Sequence, residues 1–377
     1  MRAAAIPATV VEAVGMGVRR RRQILVLGNG AAGAEKQALA LASKLQTFLP
    51  SHENVSVAMS RATYSSRVHA MLPPLLHLLL ARCSYDPWTG YSSYTSSPPD
   101  VVIGCGRTTV ALCAGYKQAF PGVFNIQIQH PRAGLRYFDA VVAPFHDFPY
   151  AAICPPPPNV HLTPGTMCDI SAASLTSARQ AWHDRATSWA HPASSPKIAV
   201  LVGGSCRGYT LTLDRAAAFV SQLEHHAHTA SFLVTFSRRT PHDVARFLYE
   251  AFSSFPSVYI WDGIDPNPFL GFLAHATAIV TTPDSISMVT EAIASGVPTF
   301  VFDRDITTGK FQRFHRHVAP WVAEVDSLDV AALTNLRSQN HPNESTTELG
   351  QRMDNGVVRA IGTALLKHWQ THDDKEP

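Results

Sequence analysis

The chain has 377 residues, 46% hydrophobic and 16% charged, which is more than one ordinary domain holds and ample for two packed cores of roughly 150–200 residues each. With Lys+Arg 31 against Asp+Glu 28 the net charge is +3, too balanced for a nucleic-acid footprint. The six cysteines (Cys83, Cys105, Cys113, Cys154, Cys168, Cys206) form no CxxC, which suits buried thiols better than a disulfide framework or a zinc site. No stretch reaches about 18 uninterrupted apolar residues; the best candidate, around Leu72–Leu80, is short and carries Pro73, Pro74 and His77, so any membrane contact is expected to be peripheral.

Residues 1–22 are Ala/Val-rich, contain Glu12 as their one acid and end in the Arg19–Arg22 block. They read as a mitochondrial targeting segment or as a basic tail that touches anionic lipid or simply stays disordered. The first domain is expected over residues 23–190. Gln23–Leu27 is a strand that feeds Gly28-Asn29-Gly30-Ala31-Ala32-Gly33 and a helix to Leu49. Strand, GxGxxG and helix form a dinucleotide-type context, in which Gly30 and Gly33 let backbone approach a ligand. Glu53 is a poor acidic partner for a ribose, so NAD is disfavoured, and a plain tight turn is the alternative.

Ala81–Pro99, polar and aromatic, reads as a loop or surface insertion. Val101–Ile103 is a strand that ends in a second glycine turn, Gly104-Cys105-Gly106, where Arg107 stands within reach of an anion. Val123–Gln129 and Phe138–Ala143 are further strands, closed by His130-Pro131-Arg132 and by Pro144-Phe145-His146-Asp147. Apolar strands with polar residues at their carboxyl ends describe a parallel α/β sheet. The four prolines of Cys154–Pro158, the short strand and turn of Asn159–Gly165 and helix to about Trp189 follow. His191–Pro196 reads as the interdomain linker.

The second half, 197–365, restarts the theme. Lys197–Val202 runs into Gly203-Gly204-Ser205, and a helix spans Asp214–His226. Phe232–Phe236 ends in Ser237-Arg238-Arg239, with a helix to Phe255. Val258–Trp261 and a short helix, Asn267–His275, lead to Ala278–Thr282. There Asp284, Ser285 and Ser287 crowd a helix start that leaves backbone N–H groups for a phosphate. Gly296-Val297-Pro298 stops that helix before the strand Thr299–Phe302, and Glu291 is near enough for a sugar's paired hydroxyls. An ordinary capped βαβ unit is the alternative for this stretch alone. Gly203–Ser205, Arg238 or Arg239, Ser285–Ser287 and Glu291 at successive strand ends suggest a nucleoside diphosphate site. Arg207 two residues after Ser205 spoils a nucleophile elbow, no GxxxxGK[ST] occurs, and His225, His226 and His228 lack a matched ligand pair.

The second half is similar to glycosyltransferases of the two-Rossmann (GT-B) type. From about residue 24 the whole chain resembles the mitochondrial fission family named for the plant elongated-mitochondria protein. The first domain carries this in Ala32–Ala42, Pro99–Thr109, Ile126–Arg132, Phe138–Asp147 and Pro158–Gly165. In the second, Val200–Ser205, Leu233–Pro241, Asn267–Phe269, Thr282–Pro298 and Lys310–His315 carry it. His130 and Pro283 depart from the family pattern. The resemblance implies two tandem Rossmann-like domains facing a cleft, and in plants an adaptor at the outer mitochondrial surface that helps recruit a dynamin-related GTPase. The fold implies metal-independent sugar transfer from a nucleotide sugar, with no covalently bound cofactor. His146 or Asp147 would serve as base.

Overall fold

The computed structural model describes residues 21–92, 97–151, 153–189, 195–264, 266–338 and 353–373. The tail 1–20, and parts of the Tyr85–Pro98 loop and of the expected linker, lie outside the described residues. The first unit runs β1 (Gln23–Gly28), α1 (Ala32–Phe48), β2 (Ser56–Arg61), α2 (Arg67–Met71), α3 (Pro74–Cys83), β3 (Val101–Cys105) and α4 (Val110–Ala119). It continues with β4 (Phe124–Ile128), β5 (Ala140–Pro144) and β6 (Val160–Thr163). After α5 (Ala172–Ala181) and α6 (His183–Ser188) come β7 (Lys197–Val202), α7 (Leu213–Glu224), β8 (Ser231–Phe236), α8 (His242–Ser253) and β9 (Val258–Ile260). Then follow α9 (Phe269–His275), β10 (Ala278–Thr281), α10 (Ile286–Ala294), β11 (Thr299–Val301), α11 (Gly309–Val318), α12 (Val330–Ser338) and α13 (Arg359–Asp373).

Both sheets are parallel, in the orders β2-β1-β3-β4-β5-β6 and β11-β10-β7-β8-β9. The central strands are buried on both faces, which is why they read as unbroken Val/Ile/Leu runs: β3, β4, β5 and β10 are buried at every position. In each sheet the chain reverses direction of growth beside its first strand, between β1 and β3 and between β7 and β10. Such switch points open a crevice at the carboxyl ends of the strands. The two tandem Rossmann-like units expected from the sequence are both present.

The partition of the chain differs from the sequence expectation. Helices α5 and α6 pack on the second sheet, where Ile170, Ala186 and Trp189 share a core with Leu201, Leu233 and Phe272. The chain therefore crosses between domains near residues 165–170, ahead of the proline-rich stretch read as the linker. It crosses back at the end, because Ile361, Leu365 and Trp369 of α13 complete the core of Ile24, Val26 and Leu41 in the first domain. Arg22 fastens that helix: it pairs with Asp373 and with Asp100 (3.1 Å), and its guanidinium lies 4.7 Å from the Trp369 ring centre.

Three local readings also change. β2 is a strand that the sequence did not reveal. The histidines at 225, 226 and 228 follow α7 in a turn instead of sitting on it. The stretch Ala81–Pro99 is partly embedded: Tyr91 is buried, bridges to Tyr64 and donates its hydroxyl to the Thr108 carbonyl at 2.7 Å. Among the described residues, no helix is long and apolar enough to cross a membrane.

Candidate functional site

The carboxyl ends of the two sheets face each other across a cleft of about 470 Å³. Its second-domain wall is built at the β7/β10 switch point. Gly203 N–H donates to Thr282 Oγ1 at 2.7 Å, and Gly204 N–H donates to Asp284 Oδ2 at 2.7 Å. Thr282 in turn donates to Asp284 Oδ1 at 2.7 Å, and Arg239 Nη2 reaches Oδ2 at 3.2 Å. A Cβ on Gly203 would fall within the Asp284 carboxylate, and one on Gly204 within the Arg239 carbonyl. The glycines are thus required by protein atoms that press against them. Their N–H groups are spent on Thr282 and Asp284, so they frame the cleft from behind.

In front of that frame stand Arg239, Ser285 and Ser287, all on the cleft. Ser285 caps α10, its Oγ accepting from Met288 N–H at 3.4 Å, and the positive end of the helix dipole points into the cleft. The loop is held from below by His315, whose Nε2 donates to the Pro283 carbonyl at 2.7 Å. Lys310, in the first turn of α11, adds a cation that sequence reasoning did not place in the site, although the Lys310–His315 stretch carries the family likeness.

Several expected ligands stand elsewhere. Arg238 is exposed outside the cleft, so of the two arginines it is Arg239 that lines it. Ser205 turns away, accepting Leu211 N–H at 3.1 Å beside a separate shallow depression. Glu291 is not on the cleft lining. Burial raises its carboxyl above the ordinary range, and its cationic neighbour is Lys36 of α1, 4.0 Å away across the domain interface.

The first-domain wall comes from the ends of β3, β4 and β5. Gly106, at φ +80°, and Arg107 line the cleft, but Arg107 Nη2 is engaged with the Ala70 and Leu72 carbonyls at 2.9 and 3.0 Å. Gly30 donates to Glu35 Oε1 at 2.8 Å, Gly33 faces open space, and Gly104 lies within β3 against Gln127 and Thr109. None of these three lines the cleft; from α1 it is Gln37 that does. After β4, Gln129 and Arg132 both line it at positive φ (69° and 56°), a conformation costly for residues with a Cβ. Sequence reading had no signal for that strain.

His146 and Asp147, at the end of β5, both reach the cleft. His146 is 5% exposed, and its Nε2 is 3.9 Å from Asp147 Oδ1. Its Nδ1 has no hydrogen-bond partner among the described residues. Burial pushes this imidazole down to about 4, against the pull of Asp147 and helped by Lys310 and Arg313. The second domain clasps this corner: Arg313 donates to the His146 carbonyl at 3.1 Å and Phe314 meets the ring edge-on at 5.6 Å. Across the interface, Thr290 Oγ1 also accepts Thr166 N–H at 3.3 Å. Among the described residues, no group of three or more His, Cys, Asp or Glu is placed to hold a metal ion.

Comparison with known proteins adds family and fold. The family model described as Mitochondrial fission ELM1 matches residues 32–321. The Arabidopsis thaliana mitochondrial fission protein ELM1 is 33% identical over 246 residues, covering 59% of this chain and 56% of that protein. An uncharacterised Rickettsia prowazekii protein is 27% identical over 241 residues, 54% of this chain and 65% of its own. The matches therefore span 56% and 65% of the length of these relatives, less than two thirds of either. Among solved structures, a Listeria monocytogenes protein assigned as a UDP-N-acetylglucosamine 2-epimerase superposes with a TM-score of 0.54 at 11% identity. That superposition covers 93% of this chain and 98% of that one. At such identity the likeness speaks for the fold, the two-Rossmann arrangement of GT-B proteins.

Proposed function

The chain belongs to the mitochondrial fission ELM1 family, and from that premise we propose that it binds a nucleoside diphosphate or nucleotide sugar in its interdomain cleft and serves as an adaptor in organelle division at the mitochondrial surface. The observation that carries the ligand reading is the convergence of Arg239, Lys310 and the Ser285-capped end of α10 on one cleft at a switch point. Arg132 and Arg107 face them from the other domain, so cations outnumber the Asp147 and Asp284 carboxylates on this lining. A diphosphate suits such a site, with a guanidinium and a helix N-terminus sharing its charge. The fold's solved relative, assigned to nucleotide-sugar chemistry, agrees with that choice of ligand. The adaptor role, with a dynamin-related GTPase as partner, rests on family membership.

A second reading, metal-independent glycosyl transfer, is favoured by His146. The neutral imidazole of His146, a residue on the cleft lining, would accept an acceptor hydroxyl's proton, while Arg239 and α10 stabilise the departing diphosphate. Thermal-shift and calorimetric titration with UDP, GDP, ADP and their sugar conjugates tests the ligand, with Lys310→Ala alongside. A base-selective rise in melting temperature, weakened in Lys310→Ala, is expected. A folded protein indifferent to every one of them would sink the nucleotide proposal. Co-isolation with a dynamin-related GTPase would then test the adaptor role by itself.

A further inference from the structure

Helix α3 is apolar on both sides. Pro74, His77, Leu78 and Ala81 turn inward at the i, i+3, i+4, i+7 spacing of a core face. On the outer side, Leu75, Leu76, Leu79 and Leu80 are 42–52% exposed. Immediately upstream, α2 adds Val68 and Met71, and Tyr85 follows α3 with 89% of its surface bare. Single exposed leucines are ordinary, but contiguous aliphatic residues on two successive helices are not. Nor do these helices hang loosely: Arg107 holds their junction through the Ala70 and Leu72 carbonyls, and His77 bonds the Thr89 carbonyl at 2.7 Å.

Along the chain this face is flanked mainly by cations, with the exposed Asp86 following Tyr85 at its end. No Asp or Glu occurs between Glu53 and Asp86, whereas Arg61, Arg67 and Arg82 do. Arg61 is paired with Glu35, but Arg67 and Arg82 are exposed beside the leucines, and Arg82 lies over the Tyr137 ring next to Arg136.

We propose that the outer face of α2 and α3 is a docking surface for an anionic lipid bilayer, independently of what the cleft binds. The face is a row of exposed leucines. Protein interfaces concentrate their energy in Trp, Tyr and Arg anchors, with leucine under-represented. A bilayer accepts aliphatic side chains without shape complementarity, and flanking arginines add attraction to acidic headgroups. Tyr85 at the helix end stands where interfacial aromatic residues belong. At ten residues α3 is far too short to span a bilayer, so it lies in the plane of the interface. Its first residue, Pro74, is on the inward side of the helix and lines the interdomain cleft.

Flotation of the full chain with phosphatidylcholine vesicles, with and without phosphatidylserine, tests this. The wild-type chain should float with the anionic vesicles, less with the neutral ones and less at high salt. Leu76→Gln/Leu80→Gln should bind at least about tenfold more weakly with an unchanged melting temperature. Met71→Gln repeats the test at a position with no core packing. Arg67→Gln/Arg82→Gln should remove the preference for phosphatidylserine. Failure of the wild-type chain to float with the anionic vesicles would overturn the proposal. Equal flotation of the leucine variant would do so too, by placing the contact elsewhere, for example in residues 1–22. A concentration-dependent dimer that the leucine variant dissociates would overturn it by giving the face to a second copy of the chain.

Discussion

The buried carboxylate of Asp284 accepts the backbone N–H of Gly204 at 2.7 Å, joining the loops after β7 and β10 across the switch point of the second sheet. Burial raises this carboxyl above the usual range, and bonds from Thr282, Gly204 and Arg239 pull the other way. Asp284→Ala strands a buried N–H and a hydroxyl, and should cost about 2–4 kcal/mol in urea unfolding. Asp284→Asn retains an acceptor and should cost less. A wild-type midpoint for Asp284→Ala would show that the loop junction is held by other contacts.

The two glycine turns should respond oppositely to alanine. At Gly203 a Cβ runs into the Asp284 side chain, so Gly203→Ala should destabilise by about 2 kcal/mol or more. At Gly33, in the first turn of α1, a Cβ meets nothing within 4 Å. Gly33→Ala should be neutral or gain about 0.5–1 kcal/mol. Thermal melts of the pair check this directly, and equal losses would contradict it.

His146 gives stability a sign on the acid side. Its folded-state value, about 4, lies below the unfolded value near 6.5, so the unfolded chain binds the extra proton first. The contribution is whole above about pH 6.5 and is lost as pH falls towards 4, by at most about 3 kcal/mol. Asp284 and Glu291, raised by burial, contribute with the opposite sign in the acid range. A His146→Gln chain shares those carboxylates, so the wild-type minus variant difference isolates the histidine. That difference should shrink between pH 6.5 and 4.5. A flat difference would mean that the ring is already solvated.

Arg22 is the clasp of α13. Arg22→Ala leaves Asp100 and Asp373 without their guanidinium and removes the cation from the Trp369 face, for a loss of about 2–3 kcal/mol. Amide exchange should rise across residues 359–373 before it rises in β10. Uniform acceleration throughout the chain would argue against a local clasp.

Fold class was legible because parallel strands buried on both faces are continuous apolar runs: Lys197–Val202 is found with its exact bounds. β2 escaped for the converse reason. It is an edge strand with half-exposed, partly polar residues (Ser56–Arg61), and its pattern does not stand out. The crossing point was hidden as well. Prolines mark 191–196, but what assigns α5 and α6 to the second domain is the packing of Trp182 and Trp189 on α9, which no local pattern shows. In the site, the residue types were readable and their directions were not. Arg238 and Arg239 are indistinguishable in sequence, as are a phosphate-binding Ser205 and one whose Oγ takes Leu211 N–H.

The return of α13 to the first sheet has a consequence for the order of events during synthesis. Ile24 and Val26 leave the ribosome early, yet their core includes Ile361, Leu365 and Trp369, which emerge after the whole second domain. The first domain therefore cannot finish folding as a vectorial unit and must wait, with its sheet partly uncovered, while the second domain forms. A nascent chain stalled before residue 359 would be a natural client for a holdase, and a stop codon there would damage the domain farthest from it in sequence.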